Sequence, residues 1–274
     1  MDAGKLMPSL SHTARLDHMS FSERYFNEVM RRLDDARRAN SKVIAQLAPL
    51  IGQSVARSGV LHVFGSGHSE VIAREIIGRA GGLACVSGIL DPTNGFIENL
   101  VGYGSALIAR HDRQYQLLPG ETIIVISNSG KNVSPIEVAL YAKEKGLHVV
   151  GLLSLQMSRN ATTVHPGGRR LHEIADCVLD NGGVPGDTLI DVSPEQLSHP
   201  SSKAGPDSTP LLSGPTSTVI GAMLLNLLML DVIEWLQANG HTPPLLRSQN
   251  LPGAIDYNRR VGRPYLHRLS RQLA

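Results

Sequence analysis

Apolar and polar positions divide the chain into short apolar runs, helical stretches and small polar turns. Val60 to Phe64 is the first run, short and rich in β-branched residues, and reads as a buried strand. Gly65-Ser66-Gly67-His68-Ser69 turns the chain, and an amphipathic helical segment follows until Gly81-Gly82 stops it. Leu83 to Val86 reads as a second strand, and Thr122 to Ile126 as a third. Ser127-Asn128-Ser129-Gly130 is a polar turn leading to a helix over Ser134 to Lys145. There Ser134 is the expected N-cap, Pro135 sits at the first helical position, and Glu137 completes a capping box. Gly146 ends that helix, and His148 to Leu153 gives the following strand. Ala175 to Leu179 is a fifth apolar run, closed by Asp180-Asn181-Gly182-Gly183. Two βα units in series imply parallel strands joined by right-handed crossovers. The polar turns then share the carboxyl edge of one sheet, where open α/β folds bind ligands.

The flanks are helical. Phe21, Tyr25, Val29 and Leu33 recur at four-residue spacing behind a Ser20 or Ser22 cap, and a second helix is expected over Ser41 to Ala56, with Pro49 kinking or splitting it. The expected organisation is a loose tail over 1–17, N-terminal helices over 18–58, an α/β domain over 59–240 and a Pro- and Arg-rich tail over 241–274. The connection over 88–120 contains Asp91-Pro92, a short helix expected near Phe96 to Ala109, and Glu98 and Tyr103 as its notable polar residues. A connection that long is usually functional or lies between subunits. Ser193 to Pro210 reads as a loop. The helix over Val219 to Leu236 is apolar nearly all round, so it is expected to be buried in the core or against a partner subunit.

Composition removes several function classes. A chain of 274 residues with 42% hydrophobic content can bury a sizeable core. A net charge of +2 is too small to argue for a nucleic-acid partner. Cys85 and Cys177 lie far apart in apolar runs and fit reduced core residues. No signal-peptide pattern opens the chain, and Asn226, Asp231 and Glu234 interrupt the most apolar helix, so no membrane partner and a cytoplasmic location are expected. Neither a dinucleotide fingerprint nor a Walker loop occurs.

The chemistry gathers on the two small-residue turns. A strand, a Gly/Ser turn and a helix start aim free backbone N–H groups at an anion, and the hydroxyls of Ser66 and Ser69 can add hydrogen bonds to phosphate oxygens. The second turn supplies Ser127, Asn128, Ser129 and Asn132 as hydroxyl, amide and backbone donors, with the charge of Lys131 nearby.

Gly65-Ser66-Gly67-His68-Ser69, Ser127-Asn128-Ser129-Gly130 and the Ser/Thr-led C-terminal helix together resemble the sugar isomerase (SIS) domain over roughly residues 40 to 240. The resemblance implies an α/β fold with a five-stranded parallel sheet flanked by helices on both faces, a flavodoxin-like three-layer sandwich preceded by the N-terminal helices. It also implies phosphosugar binding, with phosphate on Ser127, Asn128, Ser129 and Asn132 together with Ser66, and the sugar near Gly67, Ser217 and Asn181. The stretch from Ala73-Arg74-Glu75 to Gly78-Arg79 is similar to the phosphoheptose isomerase helix that carries a catalytic glutamate, which places that role on Glu75. His165-Pro166, Asp180-Asn181-Gly182 and the Gly-Pro-x-Ser-Thr helix start resemble an SIS subgroup whose nearest recognised activity eliminates water from N-acetylglucosamine 6-phosphate. Helical spacing puts Glu75 between Val71 and Ile72, a partly desolvated place that suits a general base; its alternative is an ion pair with Arg79. Glu98 and His68 are the other candidate catalytic residues.

Residues missing from the family pattern narrow the reaction. Phosphoheptose isomerases carry metal-binding histidines on their last helix; residues 211 to 240 contain none, so no metal and no zinc dependence are expected. The glucosamine 6-phosphate synthase branch uses a tail lysine, and no lysine follows Lys203. What is left is cofactor-free proton abstraction beside a sugar carbonyl, ending in elimination or in isomerisation. A non-catalytic phosphosugar sensor is the other class. A homo-oligomer, at least a dimer with the site near the subunit boundary, is expected from the apolar helix and the long connection.

Overall fold

The structure is a computed structural model and describes residues 19–193 and 209–270. The expected tail over 1–17 and most of the expected loop over 193–210 lie outside the described residues. Five strands, β1 (Leu61–Gly65), β2 (Val86–Ile89), β3 (Thr122–Ile126), β4 (His148–Leu153) and β5 (Cys177–Asp180), form one sheet in the order β2-β1-β3-β4-β5. Every neighbouring pair is parallel, with Leu61 beside Val86 on one side and Thr122 on the other.

Alternation along the strands feeds two cores. Ile124 and Ile126 join Leu61, Val63 and Leu152 on one face, beneath α1 (Phe21–Ala56) and α7 (Ser217–Ala238). Ile123 and Val125 join Phe64, Val149 and Leu153 on the other, beneath α3 (Tyr103–Tyr115) and α4 (Val133–Glu144). Buried side chains pointing both ways are why these strands read as continuous apolar runs. The helix α2 (His68–Arg74), the short helices α5 (Leu155–Asn160) and α6 (Leu171–Ile174), and a two-stranded antiparallel ribbon of β6 (Ile190–Asp191) and β7 (Leu212–Ser213) complete this part.

Several expected boundaries are corrected. The N-terminal segment is one helix of 36 residues with Pro49 inside it, started by a capping box in which the Glu23 amide donates to Ser20 Oγ and the Ser20 amide to Glu23. Core contacts on both sides of the proline, from Ile44 and Leu47 to Ile51 and Val55, keep the helix continuous. After His68 the helix ends at Arg74, and Gly78 at φ 58° falls in the turn beyond it. The second strand is displaced to Val86–Ile89, because Leu83 bridges instead to Leu245 of the C-terminal segment. The helix of the long connection is Tyr103–Tyr115, later than expected.

The capping-box expectation at Ser134 also fails. Asn132 holds the N-cap position of α4, and Ser134 Oγ donates to the Glu98 carbonyl at 2.8 Å. Glu137 accepts from the amides of Gly102 and Ser105, so its carboxylate caps α3 rather than its own helix.

The C-terminal segment carries structure over its described residues. It runs through α8 (Ala254–Gly262) into a 3-10 turn over Arg263–Arg268, with Tyr265, Arg268 and Leu269 buried. By length and composition α7 is apolar enough to cross a membrane; here Ile220, Leu224, Leu225, Leu228 and Val232 are buried in the first core.

Candidate functional site

A sheet ordered β2-β1-β3 changes winding direction between β1 and β3, and a crevice opens outside their carboxyl ends. A cleft of about 660 Å³ occupies that place. The turn after β1 contributes Ser66, Gly67, His68 and Ser69, and the turn after β3 contributes Ser127, Asn128, Ser129 and Asn132. Asn94, Gly95 and Glu98 of the connection, and Ser217 and Thr218 at the start of α7, close the other sides.

The second turn offers donors. Among the described residues, the hydroxyls of Ser127 and Ser129 and the backbone N–H groups of Asn128 and Ser129 have no hydrogen-bond partner, while Gly130 donates to the Ser127 carbonyl to hold the turn. Asn181 is buried behind this turn and does not line the cleft; its amide donates to Asn128 Oδ1 at 2.9 Å and fixes that side chain. Its expected contact with substrate is therefore corrected to support of Asn128.

Asp91 ties the connection to the first turn. Its two carboxylate oxygens accept from Thr93 N and Oγ1, Tyr103 Oη, Ser66 Oγ and Gly95 N, all between 2.7 and 2.9 Å. Burial pushes this carboxyl up, but the hydrogen bonds from Tyr103, Thr93 and Ser66 outweigh it and leave the pKa lowered. The contact is close: a Cβ on Gly95, where φ is 86°, would stand 2.9 Å from the Gly67 nitrogen. Only glycine fits that backbone.

Glu98 has the opposite electrostatics. It is half-buried, and Asn132 Nδ2 donates to its Oε1 at 2.6 Å. Burial raises its pKa, the charge of Asp91 adds to that, and hydrogen bonding from Ser66 and Asn132 only partly offsets it. The single Ser66 hydroxyl proton already goes to Asp91 at 2.8 Å, which leaves Glu98 the less satisfied carboxylate. His68 lies exposed at the rim of the same cleft.

Glu75 is not brought to this cleft. Its carboxylate pairs with Arg79, accepts from Asn226 at 3.0 Å, and lines a separate cavity of about 120 Å³ beside α7. Its side chain is half-buried, as the sequence spacing expects, but that face turns to α7 rather than to the cleft. The ion-pair alternative is the one observed.

Asp187 is the residue that sequence reasoning missed. It sits at φ 55° directly after Gly186 at φ 81°, lines the cleft, and accepts from the amides of Thr216 and Ser217 at 3.2 and 3.0 Å. A carboxylate thus caps α7 from a distant loop. Ser217 Oγ also donates to Asp187, so Ser217 lines the cleft with its hydroxyl proton already committed. The only local signal was Gly-Asp in an irregular stretch.

Fold and cleft define an α/β protein with a five-stranded parallel sheet and a polar cleft between two strand-end turns, and a family model described as "SIS domain" matches residues 24–154. A UPF0309 protein of Caldanaerobacter subterraneus subsp. tengcongensis is 34% identical over 256 residues, covering 89% of this chain and 97% of that protein. One from Halalkalibacterium halodurans is 32% identical over 252 residues, covering 89% and 96%. The chain belongs to the UPF0309 family and carries an SIS domain. Among solved structures, the phosphoheptose isomerase of Neisseria gonorrhoeae matches with a TM-score of 0.43 at 20% identity over 61% of this chain and 88% of that one. The Vibrio vulnificus NanR protein complexed with ManNAc-6P matches with a TM-score of 0.47 at 14% identity over 94% and 74%.

Proposed function

We propose that the cleft binds a phosphorylated amino sugar and removes water from it, with N-acetylglucosamine 6-phosphate as the substrate. The supporting observation is the pairing of an under-satisfied, raised-pKa carboxyl, Glu98, with a turn of unpartnered hydroxyl and amide donors in one cleft. The phosphate sits on Ser127, Asn128 and Ser129, where neutral donors stabilise a dianion. Glu98 takes the C2 proton of the open-chain sugar, a step acidified by the C1 carbonyl. The released electron pair forms the C2–C3 double bond as the C3 hydroxyl leaves, and a proton completes it as water. His68 at the rim is the group we assign to that proton transfer. A raised carboxyl pKa suits a general base, since proton affinity nearer the working pH helps it accept a carbon-bound proton. The acetamido group at C2 blocks simple aldose–ketose exchange and so favours elimination.

We also place a second copy of the chain at this cleft. Phe96 is 92% exposed, with Leu100 and Val101 at 58%, on the same connection that carries Glu98. Apolar side chains that open to water next to a site favour a homodimer contact there. A stable, active monomer in sedimentation at micromolar concentration would remove that part.

The test of the function is proton NMR of the purified protein in deuterated water with a panel of hexosamine and ketose 6-phosphates. Loss of the C2–H signal from an N-acetylhexosamine 6-phosphate, with growth of an unsaturated product, is expected. Exchange with conversion of aldose to ketose would make the protein an isomerase. Binding with neither exchange nor product would make it a sensor.

A further inference from the structure

A second cavity, of about 450 Å³, lies behind the cleft, between the end of β2 and α3. Its size is in the range of small-molecule sites. The 91–95 stretch separates the two spaces, and Asn94 lines both. Ile89, Leu90, Pro92 and Leu107 give this cavity an apolar wall, with the Tyr115 ring among its lining groups.

Its polar groups are mostly donors. Arg110 has no carboxylate partner among the described residues. Arg74 gives Nε and one terminal nitrogen to Glu70 Oε1 and keeps its other terminal nitrogen. The one carboxylate in the lining, Asp91, already has five donors, from Ser66, Thr93, Gly95 and Tyr103. Among the described residues, the Ser270 hydroxyl, shut from solvent, has no hydrogen-bond partner. Burial and the neighbouring His62 lower the His111 pKa to about 3, so its ring is neutral near pH 7. Free guanidinium hydrogens beside an apolar wall match an acceptor-rich group on an apolar body.

We propose that this cavity is a second binding site, for a small organic anion with an apolar body, separate from the sugar-phosphate cleft. The inference stands whether or not the cleft is catalytic. Because the two sites share the 91–95 wall, its occupant leans on the segment that Asp91 fastens to the first turn.

Phenyl phosphate is the probe, titrated by calorimetry into the full chain. Saturable binding is expected, weakened at least tenfold in Arg110→Gln. Arg110 is exposed, so that variant keeps the fold. Arg113→Gln, on the same helix but outside the cavity, is expected to bind as the wild type does, and in the double variant Ser127→Ala/Ser129→Ala, which weakens phosphate binding at the cleft, the Arg110-dependent binding is expected to remain. Inorganic phosphate should bind at least tenfold more weakly than phenyl phosphate. Absence of saturable binding, equal loss in Arg113→Gln, loss of the Arg110-dependent binding in the serine double variant, or equally tight inorganic phosphate in that double variant would each overturn the proposal.

Discussion

Two glutamates mark opposite ends of the same sheet, and their surroundings differ in every respect that matters. Glu121 immediately precedes β3 at the amino edge; Glu98 faces the cleft at the carboxyl edge, beyond the residue where β3 ends. Both are desolvated. Glu121 nonetheless accepts from Val60 N, Leu118 N, His62 and both terminal nitrogens of Arg268, and these partners carry its pKa down to about 2 against the effect of burial. Glu98 has one clear donor, Asn132, and burial raises its pKa. Burial alone therefore does not make a base. A buried carboxylate with its lone pairs filled is a structural rivet, and one left short of donors has proton affinity to use.

The rivet should break hardest. Arg268→Ala leaves Glu121 buried without its cation, and removing one partner of a buried pair costs about 3–5 kcal/mol. Urea unfolding should show that loss, accompanied by early release of the C-terminal segment. A loss below about 1 kcal/mol would mean that Glu121 is held by its neutral donors alone.

The cleft should respond in affinity rather than in stability. Ser127→Ala with Ser129→Ala removes two donors to a dianion, about 1.5–3 kcal/mol each before coupling. Binding of the sugar phosphate should weaken steeply, that of the unphosphorylated sugar hardly at all, and the unfolding midpoint should stay in place. Equal losses for both ligands would take the phosphate off this turn.

Much of this was legible in the chain, and the unread parts have physical causes. Thr122–Ile126 and His148–Leu153 match their expected limits because buried, mostly apolar runs bounded by turns leave little choice. The two small-residue turns were legible for the same reason. The roles that depend on contacts far along the chain were not: Glu137 caps a helix that begins 34 residues before it, and Asp187 caps one that begins 30 residues after it. Glu75 is half-buried as its spacing suggests, but the face it lies on packs toward α7 and away from the cleft, a relation that spacing along the chain does not carry. Glu98 was legible as a candidate catalytic residue and Tyr103 only as a polar residue in a long connection, while Asp91, the hub that joins Tyr103 to Ser66, was read merely as part of a turn.

A smaller effect sharpens the amino-edge half of the comparison. The native His111 pKa, about 3, is depressed by burial first and then by His62. The unfolded chain takes up that proton near pH 6.5, the native protein only near 3, so the unfolded state binds more protons in between and stability falls as pH drops through that interval. Glu121 adds loss in the same direction lower down, from about 4.5 toward about 2, because its native pKa is depressed. In His111→Phe the slope of stability against pH should flatten between about 6.5 and 4.5. An unchanged slope would assign the titration elsewhere.

The account rests on Glu98, not Glu75, being the carboxylate that takes the carbon-bound proton. The direct measurement is the rate of C2–H loss from N-acetylglucosamine 6-phosphate in deuterated water, followed by NMR for the wild type, Glu98→Gln and Glu75→Gln under saturating ligand. Glu98→Gln should bind the sugar phosphate and slow C2–H loss by roughly 10²–10⁴, the span of general base catalysis, while Glu75→Gln should lose C2–H at close to the wild-type rate. C2–H loss that survives in Glu98→Gln and vanishes in Glu75→Gln would contradict it.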